Sequence, residues 1–283
     1  MRVVRHGSGP LATLRAYASQ VHPVFMLPPV AASWFGSVLA GSFSLPVAAL
    51  HATAVFFGLY TAHLKDGYVD FYWRGEDDDH PLTEQGCWAG IVGASVAFFA
   101  CLAALWYVVD VWAALVSLPG WVIAYYHAPQ MDMHPVTATA GYPLGVALAI
   151  VGGYYVQAQA LSPFVVTFAG VVLVLLAGIK VVDDATDVAY DRSISKRTVT
   201  VVLGPSAAHR VAYALMVLGL VGVVGFVLAG VFPPSSVAAV VGFGAVALVA
   251  RHADPELATM LLIRASYVFL ALLVAAVWFR PFA

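Results

Sequence analysis

Apolar residues run through this chain in long blocks, and polar residues fall between the blocks rather than alternating within them. Nine blocks reach or approach spanning length: 24–42, 46–64, 87–108, 110–127, 138–157, 163–182, 210–230, 234–250 and 258–279. About 20 apolar residues in a helix cross the hydrocarbon core of a bilayer, where a helix satisfies its own backbone polar groups. The pattern therefore predicts an all-α polytopic membrane protein with nine transmembrane helices, forming one domain over 1–283. The third and fourth blocks are divided only by a turn at Asp110. The eighth is short, and the ninth carries Arg264 near its start. The segment Met1–Pro10 lacks a short apolar core followed by a small-residue cleavage site, so the first block is expected to be retained rather than removed as a signal peptide.

Composition agrees. Hydrophobic residues make up 62% of the chain and charged residues 10%, with a mean hydropathy of +0.89, which excludes a soluble domain. A net charge of −2 with no basic stripe excludes a nucleic-acid partner. On one helix the two cysteines, Cys87 and Cys101, would stand roughly 21 Å apart, too far for a disulfide, and they read as packing residues. Twelve of the thirteen basic residues fall on one side of a nine-span chain, and only Arg280 falls opposite. By the positive-inside rule that side is the cytoplasm, in a multi-pass cell-membrane protein with a cytoplasmic N-terminus.

Eleven of the fifteen carboxylates lie in two segments on that side: seven from Asp66 to Glu84 and four from Asp183 to Asp191. Anions concentrated in this way repel one another unless cations bind. Asp183, Asp187 and Asp191 recur every four residues, which lines one face of a helix, with Lys180 one turn before them. Asp66 and Asp70 repeat the spacing, with Arg74 one turn further. Mg²⁺ takes oxygen ligands and is commonly held by one or two carboxylates plus phosphate oxygens. Two carboxylate helices facing each other would hold two such ions around one diphosphate. Arg74, Lys180, Arg192, Lys196 and Arg197 would neutralise the remaining charge. Asp77-Asp78-Asp79 reads equally as a solvated loop or a ligand set.

These residues resemble the UbiA superfamily of intramembrane prenyltransferases, whose two Asp-rich motifs follow the second and sixth of nine helices. Asp187-Val-Ala-Tyr-Asp191, followed by Lys196-Arg197-Thr198 and Gly204, resembles the family's D-x-x-x-D-x-x-x-G-K-R-T-L-x-V-x-L-G. Asp66-Gly-Tyr-Val-Asp70, followed by Gly75 and Asp77, resembles N-D-Y-x-D-x-x-x-G-x-D. That variant is typical of the branch that prenylates 1,4-dihydroxy-2-naphthoate in menaquinone synthesis, and Gly153-Tyr-Tyr-Val-Gln157 is similar to the same branch. The chain departs from the pattern at Asp66, Gly67, Asp183, Asp184 and Thr186. It departs again at Ser195, where the family has Gly, and the branch's Gly-Glu pair is absent near Thr139–Tyr142.

The resemblance implies Mg²⁺-dependent transfer of a polyprenyl group from its diphosphate to a lipophilic or aromatic acceptor, with the tail among membrane lipid. It implies Asp66, Asp70, Asp187 and Asp191 as catalytic carboxylates, with Asp77 and Asp183 joining them as metal ligands. Tyr68, Tyr126 or Tyr190 would shield an allylic cation, if they are not interfacial aromatics. His127 and His134 would bind the acceptor or act as its base, if they are not structural; Asp132 stands in the same loop. His22-Pro23 lies where many relatives have a basic residue before Pro. A carotenoid or a glyceryl-ether lipid is the alternative acceptor. A transporter or cation-binding protein is the alternative outside enzymology, although no charged relay crosses the predicted spans.

Overall fold

The computed structural model describes residues 2–280, which are helical apart from turns and one isolated antiparallel bridge between Val4 and Leu82. Their contacts fall into two compact units. The first runs to Met131 and takes in Leu148–Ala160; the second holds Asp132–Ala147 and the chain from Leu161.

The first unit begins with α1 (Pro10–Ala18), α2 (Pro23–Leu39) and α3 (Leu45–Tyr68), each opened by a proline whose missing N–H costs nothing there. A π-helical stretch, Val69–Arg74, extends α3 and stops at Gly75 in the left-handed region, φ 63°. α4 (Glu84–Val108) is capped by Thr83, whose hydroxyl accepts from Gly86 N–H, and α5 (Val111–Tyr126) by Asp110, which accepts from Ala113 N–H. α3 packs on α2, α4 and α5. The end of α6 (Pro135–Ala158) meets α2 at glycines. A Cβ on Gly36 would lie 2.0 Å from the Ile150 carbonyl oxygen, and one on Gly153 would lie 2.1 Å from that of Ser33. Small residues at this crossing bring the backbones into contact, the usual means of packing helices in lipid.

The second unit contains the start of α6, then α7 (Pro163–Asp183), α8 (Val188–Ser193), α9 (Val199–Leu203), α10 (Pro205–Leu228), α11 (Val237–Ala250) and α12 (Pro255–Phe279). α7 packs on α10 and α12, and α11 packs on α12. Gly178 again allows close approach: its Cβ would stand 2.6 Å from the Ala212 carbonyl oxygen.

All nine apolar blocks coincide with helices. Among the described residues six helices are long and apolar enough to cross a membrane: Leu45–Arg74, Glu84–Val108, Pro135–Ala158, Pro163–Asp183, Pro205–Leu228 and Pro255–Phe279. Pro23–Leu39, Val111–Tyr126 and Pro234–Ala250 are shorter.

Candidate functional site

In the second unit the acids do not line one continuous helix. The α7 ladder ends at Asp183, residues 184–187 turn, and Asp187 stands at the N-cap position of the short α8 without a side-chain capping bond. The physical reason is local. Thr186 donates both its N–H (3.1 Å) and its hydroxyl (2.8 Å) to the Asp183 carbonyl, offering the backbone a turn in place of the helix. The four-residue spacing is therefore broken, and the acids part company. Asp187 is exposed, and its carboxylate accepts from the Thr186 hydroxyl at 3.0 Å. Asp191 is 2% exposed, with Lys196 Nζ at 3.5 Å and the Thr198 hydroxyl donating at 3.4 Å.

Lys180 reaches Asp183 at 2.9 Å and Asp184 at 2.6 Å. Asp184, only 4% exposed, was not among the expected ligands, yet its Oδ2 is buried without a hydrogen-bond partner. Burial raises the Asp184 carboxyl above the usual range despite Lys180 beside it, and it raises Asp191 despite Lys196. Ser195 adopts φ 61°, the left-handed conformation that glycine takes without strain, which explains the glycine of the resembling pattern. Arg197 N–H donates to the carbonyl of buried Asp132 at 2.8 Å. The side chains of Arg192 and Arg197 are exposed, and Tyr190 is half-buried beside Asp191 on α8.

In the first unit the expected ion pair forms: Arg74 donates to Asp70 at 3.1 Å. Asp66 is half-buried one turn earlier, and Asp77 and Asp78 are exposed in the following loop. Asp79 is tied down instead, by His6 at 2.8 Å and Arg5 at 3.2 Å; the bond from His6 holds its carboxyl below the ordinary range. The Arg5 guanidinium also lies 4.4 Å from the Phe71 ring centre, and Thr83 N–H donates to the Val3 carbonyl at 3.0 Å. The N-terminal segment thus clamps the acidic loop through contacts that no local pattern announces.

Tyr68 is 5% exposed. Its hydroxyl donates to Glu84 at 3.1 Å, and its ring contacts Tyr72, Trp73 and Trp88. Packing accounts for this residue. Tyr126 is exposed and His127 half-buried at the end of α5. Lys65, read from sequence only as a flanking charge, is 6% exposed. It donates to the Tyr125 carbonyl and to Gln130 Oε1 (3.2 Å), with the Tyr125 ring centre 4.2 Å away. Its adjacency to Asp66 was the available signal.

Among the described residues no three His, Cys, Asp or Glu side chains gather as a ready-made metal cage. The donors present are carboxylate oxygens, and one of them is buried and unpartnered. That set suits Mg²⁺, which keeps waters and takes one or two carboxylates beside phosphate oxygens.

No family model matches the sequence, and no curated protein matches it. Solved structures do. A UbiA homolog from Aeropyrum pernix K1 superposes with a TM-score of 0.72 at 18% identity, covering 90% of this chain and 97% of that one. The chain has the UbiA fold. A UbiA homolog from Archaeoglobus fulgidus bound to GPP and Mg²⁺ shares this fold at a TM-score of 0.65 and 17% identity, covering 94% and 99%. A digeranylgeranylglyceryl phosphate synthase shares it at 0.70 and 13%, covering 94% and 98%.

Proposed function

We propose that this protein is a Mg²⁺-dependent intramembrane prenyltransferase, a single domain of nine spans with both acidic segments cytoplasmic. It would move a polyprenyl group from its diphosphate to a lipophilic or aromatic acceptor. The observation that carries the reading is the UbiA fold over nearly the whole length of both chains, combined with an acidic segment at the end of each of the two helices α3 and α7. UbiA homologs holding GPP or DMAPP with Mg²⁺ support the donor and the metal.

Mg²⁺, when bound, would act as a Lewis acid on the departing diphosphate. In the first unit Asp66, Asp70 and, from the loop, Asp77 would serve as its ligands; in the second Asp183, Asp187 and Asp191 would, joined by Asp184. Arg74, Lys180, Arg192, Lys196 and Arg197 would clamp the phosphate oxygens, stabilising negative charge as the allylic C–O bond breaks. Lys180 and Lys196 also keep the buried Asp184 and Asp191 from standing as uncompensated charges. Tyr126 and His127 of the first unit and Tyr190 of the second, with Tyr68 the remaining candidate, would serve the prenyl or acceptor side.

The first acidic segment supports a quinone-type acceptor such as 1,4-dihydroxy-2-naphthoate. A second acceptor has its own support: the fold is shared with a digeranylgeranylglyceryl phosphate synthase, which favours a glyceryl-ether lipid. The test is to incubate membranes containing the protein with geranylgeranyl diphosphate, Mg²⁺ and each acceptor, and to follow product by mass spectrometry. A Mg²⁺-dependent product that falls about a thousandfold in Asp187→Ala supports the reading. No product with any acceptor defeats it.

A further inference from the structure

Gly67 stands inside α3, between Asp66 and Asp70, and its φ is not positive. The backbone there has no need of glycine, the poorest helix former after proline. What Gly67 provides is space. A Cβ at this position would lie 2.8 Å from Nε2 of His80 and 3.2 Å from Oε1 of Gln20. Ordinary carbon contacts lie at roughly 3.5–4.0 Å, so a side chain at 67 and the ring of His80 exclude each other.

His80 comes from the loop that follows the first acidic segment and is only 3% exposed. Its Nδ1 accepts from the Leu82 N–H at 3.2 Å, and its ring centre lies 5.8 Å from that of Phe71 and 6.4 Å from that of Tyr72. Nε2 is buried without a hydrogen-bond partner. No hydrogen bond aims that edge at Gly67; the fit of the ring does. A buried nitrogen left unpartnered is a cost, which the packing of the ring must offset. The same loop is tied at both ends. Glu76 N–H donates to the Asp70 carbonyl at 2.8 Å, and Arg5 N–H donates to the Pro81 carbonyl at 2.9 Å. Asp77, Asp78 and Asp79 lie between these ties, and His80 is the side chain that carries the stretch onto α3 itself.

We propose that His80 is a positioning residue: its ring, seated in the space that Gly67 leaves open, holds the acidic loop against the end of α3 and so sets where Asp77 stands relative to Asp66 and Asp70. The inference rests on the prenyltransferase reading, in which those carboxylates hold Mg²⁺. It adds two residues that the pattern of acids and bases does not mark. It also gives the departure at position 67 a reason, since positions 67 and 80 can be filled only as a pair.

The test compares Gly67→Ala, His80→Asn and the doubly substituted Gly67→Ala/His80→Asn with the parent, full length and in detergent. Asparagine keeps a polar atom where Nδ1 stands but lacks the Nε2 edge, so it leaves the space over Gly67 empty. The first readout is the Mg²⁺ concentration at which geranyl diphosphate binding is half-maximal. The second is hydrogen exchange over residues 75–83, read by mass spectrometry. In the parent background Gly67→Ala should raise the Mg²⁺ midpoint about fivefold or more, and in the His80→Asn background less than about twofold. Exchange should rise in the loop while the helices keep theirs. If Gly67→Ala does not fold, the double variant should, which reports the same coupling; a double variant that also fails overturns the inference. An equal rise in both backgrounds overturns it, because the clash is then not with the ring. So does an unchanged Mg²⁺ midpoint in Gly67→Ala, or exchange that rises through every helix, since position 80 would then support the fold and not the loop. In each of these cases a parent that binds geranyl diphosphate with Mg²⁺ leaves the prenyltransferase reading standing. A parent that binds none at any Mg²⁺ concentration overturns the reading and the inference together.

Discussion

At position 195 a serine holds a backbone that favours glycine, with φ 61°. A left-handed residue other than glycine costs about 1 kcal/mol, part of which glycine would return through a freer unfolded chain. Ser195→Gly should therefore raise unfolding free energy by about 0.5 kcal/mol with activity kept. Ser195→Val, β-branched at positive φ, should lower it by about 1–2 kcal/mol. Denaturant unfolding in detergent reads both. Lys65 is the other residue whose burial is invisible without the fold. Its ammonium satisfies the Tyr125 carbonyl and Gln130, so Lys65→Met should cost about 1–3 kcal/mol. It should also raise hydrogen exchange over Tyr125–Gln130, which mass spectrometry would resolve. A lysine flanking an apolar block ordinarily signals an interface, so its sequence position gave no hint of burial.

At the scale of elements, the helices were legible because burial in lipid demands long apolar runs, and each run became a helix. The acidic end of α7 was not. An Asp every four residues fits a helix, yet Asp and Thr side chains also compete for backbone groups, and here Thr186 won the Asp183 carbonyl. The result buries Asp184 and Asp191 and exposes Asp187. Burial raises both buried carboxyls above 3.8. With folded values raised, the metal-free fold favours their protonated forms. Their contribution to stability is full below the unfolded value and fades as pH rises through the folded one. Mg²⁺ needs the ionised forms, so the thermal stabilisation it confers should grow as pH rises through that range. Asp184→Asn should flatten the trend in a thermal-shift titration. A Mg²⁺ effect that ignores pH would contradict this account.

For the whole molecule, the distribution of basic residues makes a topological prediction. Asp78→Cys and Ser193→Cys should react with a membrane-impermeant maleimide only in inverted vesicles, and Gln159→Cys only in right-side-out cells. The background is low, since Cys87 is buried and Cys101 half-buried. The short helices Pro23–Leu39 and Val111–Tyr126 make the experiment decisive, because failure of either to cross would invert every later label. At this scale the nine apolar blocks and two acidic segments were enough to suggest the UbiA fold. The pairing of residues 2–6 with the loop before α4 was not legible, because it depends on one isolated bridge and a few charges distant in sequence.

The π-helical stretch Val69–Arg74 makes the end of α3 sensitive to residue number more than to residue type. A π-turn holds more residues than the α-turn it replaces. Losing a single residue between Asp70 and Arg74 would let the segment relax to ordinary winding and shift the register of everything from the arginine into the acidic loop, while every side chain remained individually intact. Relatives that differ here by an insertion or deletion should therefore differ in function more sharply than relatives that differ by several substitutions. Alignments that close gaps at this point would hide the change that matters.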